Sequence, residues 1–241
     1  MAKPNYIELP TGEQIRILYE DRAVLAIDKP RGWMLVPFSW QKTKRNLQAA
    51  LTSSIAAGDF WARSRNLRFI RFVHRLDAET SGVLLLAKSP GAVDTYGNLF
   101  ESRKMEKVYL AVVHGAPEET EWTCRFKLAP DPEKRGRMMV SDDGKESETF
   151  FRVLQTGKKT SLVEARPYTG RTHQIRVHLA ESGFPIVGDE LYAPNVGKEN
   201  LGLRAIRLSF KDPFNRKSVR IQAPVENFCR EFHFQVPHLK D

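Results

Sequence analysis

Three groups of residues in this chain have the types and spacing to do chemistry. The densest is Phe72-Val73-His74-Arg75-Leu76-Asp77-Ala78-Glu79-Thr80-Ser81-Gly82, a knot of ionisable and hydroxyl side chains between two apolar segments. The second is a strand-like run, Lys107-Val108-Tyr109-Leu110-Ala111, whose tyrosine offers a flat face. The third, Thr169-Gly170-Arg171-Thr172-His173-Gln174-Ile175-Arg176-Val177-His178, gathers cations at the start of a helical pattern and suits an anion. An aspartate that attacks or takes a proton must be ionised, and burial alone would push its pKa above the reference of about 3.9. An arginine nearby reverses that. The same run also reads as a surface hairpin in which Asp77 pairs with Arg75 or caps a turn. A glycosidase-type pair would need Glu79 as the second acid, but successive turn residues seldom converge on one point. His173 and His178 fall on different helix faces with no Cys or acidic cluster beside them, so no metal is expected. Phosphate-loop, dinucleotide and Gly-x-Ser-x-Gly patterns are absent.

Holding these residues requires a sheet. Phe69–Val73 and Val83–Ala87 read as buried strands, and Thr80, Ser81 and Gly82 turn the chain between them, with Gly82 free to take a positive φ. Two earlier strands, Ile15–Asp21 and Ala23–Asp28, close at Lys29-Pro30-Arg31-Gly32. The spacing of Leu47, Leu51 and Ile55 predicts a helix from Thr43 to Phe60, stopped by Gly58. A second helix is expected over Val93–Arg103 and a strand over Glu106–Gly115, where Lys107, Tyr109 and Ala111 share a face. Trp122–Leu128, Glu148–Leu154 and Leu162–Arg166 read as antiparallel strands around a basic exposed loop, Asp131–Arg137. Thr172 suits the N-cap of the third helix, which Gly183 and Pro185 end. Leu203–Phe210 and Ser218–Gln222 add strands, and Pro224–Phe232 a last helix. The fold class is therefore α+β: a large, mainly antiparallel sheet with flanking helices. Residues 1–14 are a loose tail or edge segment and 15–241 one domain.

The chain has 241 residues and 41% hydrophobic content, enough for a sizeable core. No run of about 18 apolar residues exists and the N-terminus lacks an apolar leader, which points to the cytoplasm. Cys124 and Cys229 have no ligand spacing and read as reduced thiols. A formal charge of +9 favours a polyanionic partner. Basic residues recur at Lys42, Lys44 and Arg45, at Lys134–Arg137, and at Arg63, Arg65, Arg68, Arg71 and Arg75, this last group interleaved with Phe60, Trp61, Phe69 and Phe72. Guanidinium and aromatic faces so mixed suit a nucleic acid whose bases can stack.

His74-Arg75-Leu76-Asp77-Ala78-Glu79-Thr80-Ser81-Gly82 with the following apolar run closely resembles the signature of the RluA-type pseudouridine synthases, which isomerise uridine in RNA. Leu18–Asp21 with Asp28–Gly32, Lys107–Ala111, Thr169–His178, Ile186–Asp189 and Leu203–Phe210 resemble further motifs of that family, in order, from about Ile17 to Pro224. The resemblance implies that Asp77 is the catalytic carboxylate, Tyr109 packs on the target base, Arg176 pairs with Asp77, Leu208 lines the pocket and Arg75 helps displace the base. Lys107 and Arg171 join Arg63, Arg65, Arg68 and Arg71 as RNA-binding residues. It implies rRNA or tRNA as partner, a monomer, and no cofactor, metal or membrane. Asp77 could act as nucleophile or as base, and the residues do not choose. The first motif starts within twenty residues of Met1, so no separate N-terminal RNA-binding domain is expected. Asp28-Lys29-Pro30-Arg31-Gly32 stands where the family usually has Asn-Lys-Pro-Ala-Gly, no histidine occurs in Leu35–Phe38, and Arg204 replaces a frequent histidine. The alternatives are a non-catalytic RNA-binding or RNA-assembly protein on the same fold, and a nucleoside hydrolase.

Overall fold

A computed structural model describes residues 3–9, 11–35, 45–193 and 197–239. Pro10, Lys42, Thr43, Lys44 and residues 36–38 of the expected motifs lie outside the described residues. The chain divides into two compact units, Met1–Met105 with Arg207–Ala223, and Glu106–Ile206 with Pro224–Asp241. Both are α+β, and the twelve strands and five helices among the described residues match the class expected from the sequence.

The first unit contains β1 (Tyr6–Glu8), β2 (Gln14–Glu20), β3 (Val24–Lys29), α1 (Leu47–Ala56), α2 (Phe60–Arg63), β4 (Arg71–Phe72), β5 (Ser81–Ala87) and α3 (Pro90–Glu101). Pairs β1–β2, β2–β3, β3–β5 and β4–β5 are all antiparallel. Residues 1–14 thus supply an edge strand, with Ile7 fully buried. Every residue of β5 is buried, as its unbroken apolar run requires, and each of Leu84, Leu85 and Leu86 contributes roughly 2 kcal/mol by leaving water. β4 is only two residues long, not five: Arg71 and Phe72 pair in register with Ala87 and Leu86, and Val73 adds a single N–H bond to the Leu85 carbonyl at 3.2 Å. α1 begins at Leu47 because the Asn46 side chain accepts the Ala49 N–H. α3 begins three residues before the expected Val93: Ser89 caps it and Pro90 opens its first turn, where a missing N–H costs nothing.

The second unit contains β6 (Glu106–His114), β7 (Glu121–Pro130), β8 (Met138–Val140), β9 (Lys145–Thr156), β10 (Thr160–Pro167), α4 (Gln174–Glu181) and, late in the chain, α5 (Glu226–Glu231). Its antiparallel order runs β6-β10-β9-β7-β8. Side chains of β6 alternate between two clusters: Val108, Leu110 and Val112 in one, Ala111 and Val113 in the other. That strand is buried on both faces. β11 (Leu203–Lys211) passes from the second unit into the first at Arg207, where it pairs with β12 (Ser218–Gln222). Both cysteines are buried free thiols. No helix among the described residues is long and apolar enough to cross a membrane.

Candidate active site

Asp77 lies in the turn between β4 and β5, half-buried, with its carbonyl accepting the Thr80 N–H at 3.2 Å. Leu76 and Thr80 on either side are buried and anchor the turn, while Arg75 is exposed. Gly82 has φ of +112°, which turns the chain into β5 in a conformation that a Cβ would oppose. Beneath the turn sits Lys29, the last residue of β3, with no solvent exposure. Its ammonium donates to the carbonyls of Ala78 at 2.7 Å, Thr80 at 2.9 Å and Pro30 at 3.0 Å. A fourth bond, from the Gly32 N–H to the Ala78 carbonyl at 3.0 Å, ties the same two segments. The antiparallel register, Lys29 opposite Gly82, places the lysine there. Burial draws the Lys29 pKa down to about 8, against the opposing charges of Glu79 and Asp77. One buried cation therefore fixes the backbone on which Asp77 stands. His74 accepts the Leu85 N–H through Nε2 at 3.0 Å and stacks on Phe100 at 4.5 Å, which pins the other side of the run.

Arg63, Arg68 and Arg71 are exposed, as is Arg75. Arg65 is not: its side chain is 3% exposed and its guanidinium is engaged internally, by Glu20 at 2.8 Å and the carbonyls of Trp61 and Pro4. Glu20 also takes Lys88 at 2.8 Å, and although burial opposes it, the bonds from Lys88 and Arg65 hold its carboxyl below the ordinary range. Arg65 is a buried tie, separated from its basic neighbours by the presence of a carboxylate that only the fold brings near. A cavity of about 530 Å³ lies here, with Lys3, Arg22, Arg68 and Lys88 on its wall. Leu208 is 3% exposed and belongs to the core cluster that contains Val24, Val83, Leu85 and Tyr96.

In the second unit, Tyr109 stands opposite Ala165 on β10, half-buried against the cluster that holds Phe151 and Ile175. Lys107, on the same face of β6, donates to the Thr169 carbonyl at 2.8 Å and so joins the strand to the Thr169–His173 loop. That loop is held by Gln174. Its buried amide accepts from the Thr169 hydroxyl at 2.7 Å and the Arg171 N–H at 2.9 Å, and donates to the Glu148 carbonyl and the Thr149 hydroxyl, each at 2.9 Å. Arg171 donates through Nε to the Glu146 carbonyl. The N-cap of α4 is His173 rather than Thr172, in the left-handed region at φ +54°. Gln174 reaches back to fix the loop, so no hydroxyl cap is used.

Arg176, buried on α4, is gripped in a fork by Asp189: Nε to one oxygen at 2.8 Å, Nη2 to the other at 2.7 Å. Asp189 has no solvent exposure and also accepts the backbone N–H groups of Leu191 and Tyr192. Gly188, at φ +72°, lets this loop pass Asn200, whose carbonyl a Cβ would strike. Among the described residues, no three His, Cys, Asp or Glu side chains converge as a metal site would.

Three positioning residues, Lys29, Gln174 and Asp189, carry no reactive role in the sequence reading. Lys29 and Asp189 had a signal there: each is a charge beside Pro or Gly near the end of an apolar run, Lys29 just before Pro30 in Ile27-Asp28-Lys29-Pro30 and Asp189 just after Gly188 in Ile186-Val187-Gly188-Asp189. A charge at the end of a buried strand needs a partner.

A sequence model of the family described as RNA pseudouridylate synthase matches residues 23–181. The ribosomal large subunit pseudouridine synthase C of Yersinia pestis is 34% identical over 229 residues, covering 89% of this chain and 67% of that protein. The dual-specificity RNA pseudouridine synthase RluA of Vibrio parahaemolyticus is 36% identical over 214 residues, covering 85% and 80% respectively. Among solved structures, human RNA pseudouridylate synthase domain containing 1 superposes with a TM-score of 0.73 at 27% identity, over 94% of this chain and 91% of that one. Motif order, the rigid aspartate turn and these matches agree, and the chain belongs to the RluA-type branch of the RNA pseudouridylate synthases, isomerases that act on uridine in RNA.

Proposed function

We propose that this chain, working as a cytoplasmic monomer, converts particular uridines of rRNA or tRNA to pseudouridine with Asp77 as the reacting carboxylate. The relatives named above are a ribosomal large subunit enzyme and a dual-specificity RNA enzyme, which is what supports that substrate class. The observation that carries the reading is the Asp77 turn itself. Its backbone is locked by a buried lysine with three carbonyl partners, while the aspartate is left half-open. Rigidity there is what a reacting carboxylate needs, since a small misplacement of the attacking atom is costly in rate.

Uridine in folded RNA hides its glycosidic bond, so the nucleotide must leave the stack at a cost of a few kcal/mol. Tyr109 packs on the extruded base, Leu208 borders it, and exposed Arg75 occupies the vacated place. Asp77 then works at the sugar, by attack on carbon 1′ or by taking a ribose proton. The bond from carbon 1′ to the base nitrogen breaks, the uracil turns in place, carbon 1′ joins carbon 5, and carbon 5 gives up its proton while the freed nitrogen takes one up. Arg63, Arg68, Arg71, Lys107 and Arg171 grip the phosphates. Water must be excluded throughout, or the opened ribose would hydrolyse.

The test uses RNA carrying tritium at uridine carbon 5. The parent should release label, and Asp77→Asn should lose at least about 10³-fold in rate while binding RNA as before. Undiminished release by Asp77→Asn would remove the assignment, and free uracil among the products would indicate hydrolysis instead.

A further inference from the structure

The ring of Tyr192 lies in the second unit with two guanidinium groups against it, Arg137 at 5.4 Å and Arg176 at 5.2 Å from its centroid. His173 meets it edge-on at 5.7 Å, with Nδ1 2.9 Å from the tyrosine hydroxyl. That hydroxyl accepts the backbone N–H of Met138 at 2.8 Å. Arg137 and Met138 are where the basic 131–137 loop enters β8. One side chain thus joins the hairpin to the arginine of α4.

The two cations are compensated unequally. Arg176 has both oxygens of a buried carboxylate at 2.7 and 2.8 Å. Arg137 has only Asp131 at 3.7 Å, and its Nε is a buried donor with no hydrogen-bond partner among the described residues. That Nε lies out of reach of solvent; the half-exposed remainder of the guanidinium, whose carboxylate neighbour stands off at 3.7 Å, is what an incoming acceptor meets. The loop tip beside it, Lys134 and Arg135, is exposed and basic. A phosphate oxygen is the acceptor this arrangement fits. The left-handed backbone of His173, at the first step of the helix carrying Arg176, marks the same place as one that packing has over-determined.

We propose that Tyr192 is a positioning residue that couples RNA phosphate captured by Arg137 to the placement of Arg176, so that the hairpin acts on the isomerisation step as well as on binding. The inference rests on the pseudouridine synthase reading above. A hairpin that only gripped RNA would set affinity alone. Coupling through the shared ring makes Arg137 matter even when RNA saturates the enzyme.

The experiment measures single-turnover tritium release at saturating RNA, and RNA affinity separately, for Arg137→Gln, Tyr192→Leu, Tyr192→Phe and the Arg137→Gln/Tyr192→Leu double variant, with Asp77→Asn as reference. Arg137→Gln should slow the saturated rate about 5-fold and Tyr192→Leu about 30-fold, with the double variant no slower than Tyr192→Leu. Tyr192→Phe, which keeps the ring, should return the rate to within about 3-fold of the parent. Multiplying effects in the double variant, or a parental saturated rate in Arg137→Gln, would overturn the coupling. If Tyr192→Leu does not fold, the Arg137→Gln rate decides alone, because Arg137 is half-exposed on a loop. Label release by Asp77→Asn would instead overturn the underlying reading.

Discussion

Lys29 is the residue whose chemistry reaches furthest from its own position. An ammonium has three hydrogens and here meets three carbonyls; a neutral amine has two and leaves one carbonyl unmet. With a pKa drawn down to about 8 by burial, that loss begins just above neutrality. The sign of the stability effect is the reverse. Between about pH 8 and the unfolded value near 10.5 the unfolded chain holds the proton that the folded chain has released, so this group's contribution to stability rises with pH. The isomerisation rate should therefore fall with an apparent pKa near 8 while urea midpoints do not fall with it. A rate that stays flat to about pH 9.5 would show that two bonds suffice to hold the turn. Arg65 and Arg176 show the same dependence on partners: Glu20 removes the first from the basic surface, and Asp189 determines how the second is held.

At the scale of elements, α4 is the helix on which most depends, and its own weak point is His178. That side chain has no exposure, and Nε2 is 2.8 Å from the Ser147 hydroxyl. Since the hydroxyl donates to the Phe126 carbonyl at 2.6 Å, the imidazole is the donor to it. Nδ1 has no hydrogen-bond partner among the described residues, so a second proton there would be a buried charge without a counter-ion. Burial lowers the pKa to about 4. As pH falls from about 6.5 the unfolded chain takes up the proton first, and stability drops by roughly 2–3 kcal/mol on reaching pH 4.5. Urea unfolding at pH 7 and 4.5 should display that loss, and His178→Gln should flatten it; an equal slope in the variant would place the sensitivity elsewhere. Helix ends were harder to read from the sequence than helix bodies. Ser89-Pro90 announces the start of α3 by known capping chemistry, whereas α4 starts on a left-handed histidine held by a glutamine that reaches other strands.

For the molecule as a whole, the net charge of +9 bears on RNA affinity and its salt dependence. Replacing exposed Arg68 and Arg71 together with Glu should weaken RNA binding and reduce the slope of log affinity against log salt by about 1.4–1.8, two phosphate contacts' worth. Arg65→Gln, one residue type in the same stretch, should leave that slope alone and lower the unfolding midpoint instead; a changed slope would mean that its ion pair with Glu20 opens to RNA. The α+β class, nearly every strand, the family motifs and the aspartate turn were legible in the chain, because apolar periodicity, turn residues and ordered motifs are properties of neighbouring residues. Which lysine locks the turn, which carboxylate grips Arg176, and which arginine of a basic run is buried were decided only by tertiary structure. Those choices join residues 49 positions apart at Lys29 and Ala78, 45 apart at Glu20 and Arg65, and 13 apart at Arg176 and Asp189. Charges far apart in the chain acquire partners only when burial makes an unpaired one too costly to keep.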